Sequence, residues 1–101
     1  MAWREVLGMS ATITLQPKLD LRAAGPLRDA LLAHDAEDVQ LDAGGVTHIG
    51  ALSLQVIRAA ARSWSEAGRS LTLINASNDL ADQLSLLGFS TDTVTQWESR
   101  A

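Results

Sequence analysis

The sequence contains no cysteine and no tyrosine. Without cysteine, disulfides and thiolate chemistry are excluded, and a reducing, cytoplasmic location is the simplest expectation. Aromatic residues are scarce as well: Trp3, Trp64, Phe89 and Trp97 are the whole set. Any core must therefore be aliphatic, built from Leu, Val, Ile and Ala. No apolar run approaches the roughly 20 residues that a membrane-spanning helix needs, so direct membrane insertion is not expected. The start carries the Arg4–Glu5 charge pair where a signal peptide would have its apolar run. Basic charge is thin and dispersed. Net charge is −4, and Arg58 and Arg62 form one i, i+4 pair. Nucleic-acid binders need a concentrated basic footprint to neutralise phosphates, and this chain lacks one.

Catalytic constellations are missing too. Nucleophilic catalysis needs a nucleophile, a base and an orienting group within hydrogen-bond reach. Only two histidines exist, His34 and His48. His34 falls at a helix C-terminus, where an imidazolium meets the negative end of the helix dipole. His48 ends an extended segment beside Gly50 and has no readable partner for base chemistry. No histidine pair or calcium-type acidic loop offers a metal site, and Asp35, Glu37 and Asp38 read as solvated acids in a turn. Gly44–Gly45 lacks the Lys-Ser/Thr that completes a phosphate loop, and no dinucleotide fingerprint follows the first strand. A non-enzymatic protein without cofactors is the resulting expectation.

What the chain does contain is enough apolar residue for one compact domain: 47% of 101 residues. Residues 1–10 show no pattern and are expected to form an ill-ordered leader to a domain over 11–101. Ala11–Leu15 alternates as a strand. Pro17 and Lys18 mark a break. Leu27, Leu31 and Ala24 share a helical face, and Pro26 predicts that regular helix begins near Gly25 or Pro26, since proline suits a first turn. Asp38–Asp42 alternates again, and Val46–Ile49 is extended. Leu54, Ile57, Ala61 and Trp64 then mark an amphipathic helix ending at Gly68. Ser70–Ile74 reads as a strand. Ser77 reads as the N-cap of a helix whose face is Leu80, Leu84 and Leu87, stopping at Gly88. Thr93–Trp97 is a candidate edge strand. Alternating strands and helices imply an α/β fold with a largely parallel or mixed sheet.

One segment draws a functional reading. His48-Ile49-Gly50-Ala51-Leu52-Ser53-Leu54-Gln55 runs from strand into helix, and a helix start offers free N–H groups and a positive dipole end. Two readings stand for Ser53. A phosphate there would bring roughly −1.5 to −2 charges to a nearly neutral surface; alternatively the serine caps the helix or packs as a small polar residue.

The order of these elements resembles the STAS domain, shared by sulfate transporters and anti-sigma factor antagonists. Lys18-Leu19-Asp20 with Leu27-Arg28-Asp29-Ala30-Leu31 is similar to the family's entry to its first helix. Val39-Gln40-Leu41-Asp42 and then Val46-Thr47-His48-Ile49-Gly50 resemble its central strand and second-helix start. Leu84-Ser85-Leu86-Leu87-Gly88-Phe89 resembles its ending. The resemblance implies a mixed four- to five-stranded sheet with helices mainly on one face. It also implies a bacterial regulatory module that docks onto a protein partner, an anti-sigma factor or kinase-type ATPase, through the start of the second helix. The Gly50-Ala51 and Leu54-Gln55-Val56 run is similar to STAS proteins of bacterial chemotaxis, which would make a chemotaxis histidine kinase the partner. A second job for the same fold is a subunit that binds and stabilises the ATPase of an ABC-type lipid transporter.

In family members that are phosphorylated, a serine at that helix start is the switch. Here an ungapped alignment sets Gly50-Ala51-Leu52-Ser53 against the family's Asp-Ser-Ser-Gly. Leu52 thus occupies the phosphoserine position, and Ser53 lies about 100° further round the helix. The expected partner-binding residues are His48, Gly50, Ala51, Leu52, Ser53 and Gln55, with Ser53 the candidate phosphorylation site. Leu52 either forms an apolar knob suited to a protein contact or turns inward to the core.

Overall fold

A computed structural model describes residues 10–98. The expected leader lies outside the described residues except for Ser10, which opens the first strand. Along the chain run β1 (Ser10–Thr14), β2 (Lys18–Leu19), α1 (Leu21–Ala33), β3 (Asp38–Asp42) and β4 (His48–Ile49). They are followed by α2 (Ala51–Glu66), β5 (Leu71–Ile74), α3 (Asn78–Leu86) and a 3-10 turn (Thr93–Thr95).

β1, β3 and β5 form one sheet in that order, with parallel pairing throughout. β2 and β4 form a separate parallel pair. The single mixed sheet of four to five strands is thus corrected: the five strands divide three and two, and among the described residues every pairing is parallel. Pro17 explains the division. It ends the run of β1 and turns its carbonyl to the Thr47 and His48 N–H groups and the Thr47 hydroxyl, which begins the second ladder.

Alternation decides which sheet face is covered. Ala11, Val39 and Leu71 stand in register, as do Ile13, Leu41 and Leu73, and all are buried or half-buried. Their neighbours Thr12, Gln40 and Thr72 form an exposed row on the other face. Strands stepping one way across a sheet, joined by right-handed crossovers, carry their helices on one side. The polar row is therefore the open face.

α1 begins at Leu21, earlier than Pro26 suggested. The Asp20 carboxylate accepts from the Arg22 and Ala23 N–H groups and so caps the helix a full turn before the proline. Pro26 costs the bond to the Arg22 carbonyl, but both residues are exposed and water can serve that carbonyl. The glycines predicted as stops do act as stops. Gly68 (φ +70) and Gly88 (φ +91) each follow a helix in the left-handed region. In both cases the next residue returns its N–H to the helix, Arg69 to Trp64 and Phe89 to Leu84, which is the Schellman arrangement. Leu87, expected on the core face of α3, caps that helix instead and is exposed; Phe89 packs against the core in its place.

The tail is corrected as well. Thr93–Thr95 forms a 3-10 turn rather than an edge strand. The Ser90 hydroxyl accepts from the Thr93 N–H, and Val94 is driven fully into the core. Arg58 Nη1 donates to the Thr93, Val94 and Gln96 carbonyls, and its guanidinium lies over the Phe89 and Trp97 rings. Those carbonyls are thus taken by a side chain, leaving nothing for a strand to pair with.

Candidate partner-binding site

The second helix begins directly after β4, at the end of the two-stranded sheet. Gly50 is its N-cap, extended at φ −98 and ψ 168, and supplies no side-chain cap. Its N–H donates to the Leu19 carbonyl of β2 at 2.8 Å, so the entry to α2 is tied to the entry to α1. Ser53 strengthens that tie. It is fully buried, and its Oγ donates to the Asp20 carbonyl at 3.1 Å. Of the two readings left open for Ser53, the packed one describes its position. As folded, its hydroxyl faces inward and is not presented to a kinase.

The other expected docking residues do reach the surface together. His48, Ala51, Leu52 and Gln55 are exposed and Gly50 is half-buried. Leu52 is 43% exposed, so it turns outward rather than into the core. Beyond it lies a feature the sequence reading missed. Leu52, Val56, Ala59 and Ser63 descend one side of α2, and Leu31, Leu32 and Arg28 of α1 face them across a groove of about 350 Å³. Leu32 is 53% exposed at its rim. Arg28 is the sole charged residue in the lining. Helical phase carried part of the signal: Ser53, Ile57, Ala60 and Trp64 recur on the buried face, and Leu52, Val56 and Ala59 form the stripe beside it.

A family model described as "Mlab, STAS domain" matches residues 5–96. The chain belongs to the STAS family. A solved structure with the same fold is the murine Solute Carrier 26 family member A9 (Slc26a9) anion transporter in its inward-facing state. The likeness has a TM-score of 0.67 at 17% identity and covers 79% of this chain, which spans only 14% of that transporter. At such identity the likeness speaks for the fold. No curated protein matches the chain.

Two further polar contacts mark opposite ends of the STAS domain's main sheet. Asp42 ends β3, and its Oδ1 accepts from the Gly44 N–H at 2.9 Å and from Asn75 Nδ2 at 3.2 Å. These bonds, the Gly44 one first, hold its carboxyl below the usual aspartate range. The acid that carries part of the family resemblance therefore closes the turn after β3 and ties it to Asn75 just beyond β5. At the opposite end His34 Nδ1 lies 2.6 Å from Glu37 Oε2, at the C-terminus of α1 as expected. Among the described residues no cluster of acids and histidines could hold a metal, and no helix is long and apolar enough to cross a membrane.

Proposed function

We propose that this STAS domain is a non-enzymatic, cytoplasmic regulatory module that docks onto a partner protein through the start of α2. The observation that carries the reading is Leu52: a large apolar side chain standing out of a helix start otherwise built of Gly50 and Ala51, at the mouth of an apolar groove. An aliphatic knob flanked by small residues can be desolvated by a partner at little cost, as the centres of protein interfaces are. His48 and Gln55 supply a polar rim. The partner classes that fit are an anti-sigma factor or other kinase-type ATPase, including a chemotaxis histidine kinase, and the ATPase of an ABC-type lipid transporter.

Docking in this reading is constitutive. A phosphate on Ser53 would first require its bond to Asp20 to open and the hydroxyl to leave the core. That favours the transporter-subunit reading, which needs no phosphate, over a phosphoserine switch.

The test is Leu52→Asp, compared with wild type as bait in the native cells. The charge is expected to weaken retention of the co-purifying ATPase by about 30-fold or more, the scale of an interface hot spot. The denaturation midpoint should stay at the wild-type value, because Leu52 lies outside the core. Mass spectrometry of the retained protein separates a kinase-type partner from a transporter ATPase. Equal retention by wild type and variant would remove this surface from consideration.

A further inference from the structure

We infer that Gln83, on α3, is the positioning residue of the docking edge. This inference rests on the docking reading above. Its side-chain amide grips the backbone on both sides of His48: Oε1 accepts from the Ile49 N–H at 3.0 Å, and Nε2 donates to the Thr47 carbonyl at 2.8 Å. The arrangement fixes which end of the amide is oxygen, since the reverse would set donor against donor and acceptor against acceptor.

The geometry is that of a missing strand. In an extended chain the carbonyl of one residue and the N–H two residues on point the same way. On its other side this segment is held by Pro17 and β2, with the His48 N–H on the Pro17 carbonyl and the Gly50 N–H on the Leu19 carbonyl. Gln83 takes the opposite edge and satisfies it as a neighbouring strand would. β4 is only two residues long, so its own ladder holds it weakly. A single side chain therefore bonds its second edge.

Gln83 can do this because α3 is itself anchored. Leu80 and Leu84, one turn before and one residue after it, are fully buried, and the Ser77 hydroxyl caps the helix by accepting from the Leu80 N–H. The amide is thus carried on a rigid element to within reach of the loop. The chain passes from Ile49 through Gly50 into the first turn of α2, so the orientation of His48, Ala51 and Leu52 depends on where this edge is held. Gln83 touches no partner in this account. It acts through the backbone it holds.

Gln83→Met keeps the length and volume of the side chain and removes both bonds. Amide hydrogen exchange at Ile49 in the variant is expected to accelerate about tenfold, the worth of one hydrogen bond between neutral groups. Exchange at Val39, whose N–H is bonded to the Ser70 carbonyl in the main sheet, should accelerate by no more than at Ile49, and the denaturation midpoint should fall by no more than the worth of that bond. Retention of the co-purified ATPase by the full-length variant should fall at least threefold. Unchanged exchange at Ile49 would overturn the clamp. Acceleration at Val39 well beyond that at Ile49, with a correspondingly large fall in the denaturation midpoint, would mean that Gln83 serves global stability only, and would overturn the positioning role. Wild-type retention by Gln83→Met while Leu52→Asp loses the partner would also overturn it, with docking left standing. Loss by neither variant would defeat the docking reading itself.

Discussion

Replacing Trp64 by alanine is expected to destabilise the domain by about 3–5 kcal/mol, the range for deleting a buried aromatic side chain. Trp64 is 5% exposed, near the C-terminal end of α2, where it packs in the aliphatic core and floors the groove. Two losses add. The cavity left by the indole is far larger than a methyl group, and the surrounding leucines can only partly close it. The indole N–H also donates to the Glu37 carbonyl at 2.8 Å, and alanine leaves that carbonyl without its donor. Since small domains are stable by only about 5–15 kcal/mol, the effect is a large share of the total. Denaturant titration measures it. A change below about 1 kcal/mol would contradict the packing described for α2.

Ser53→Asp is the second large effect, and it separates a structural serine from a switch. The aspartate would set a carboxylate in a fully buried site, against the Asp20 carbonyl that now accepts from the hydroxyl. An unpaired buried charge costs roughly 3–5 kcal/mol, so the variant should be severely destabilised or fold only with the carboxyl protonated. Ser53→Ala should cost only about 1 kcal/mol, because the Asp20 carbonyl retains the Ala23 N–H as a donor. If Ser53→Asp instead kept wild-type stability and lost only its partner, a phosphate switch at this residue would be restored.

Much of the fold was legible because local and tertiary preferences agree. The alternation of Val39 and Leu41, the helical period of Leu54, Ile57, Ala61 and Trp64, and the glycines after α2 and α3 each have one physical solution, and the chain adopts it. Where two local rules competed, the reading failed. Pro26 argued for a late start to α1, but the Asp20 cap dominates because the bond lost at the proline faces water. The Thr93-Val94-Thr95 triplet has the composition of a strand, yet Arg58 and Ser90 claim its backbone. Five of the six expected docking residues share one surface, since a contiguous segment at a helix start stays together. Ser53 turns inward on the phase of Ile57 and Trp64. The Gln83 clamp and the α1 wall of the groove come from far along the chain, and no local pattern announces them.

The most direct test of docking through α2 is hydrogen–deuterium exchange on the domain alone and in complex with its co-purified ATPase partner. Protection confined to Gly50–Ala59, with the facing Leu31 and Leu32 of α1, is the predicted footprint. Protection on the open sheet face at Thr12, Gln40 and Thr72, with the α2 start left exchanging as in the free domain, would contradict the account.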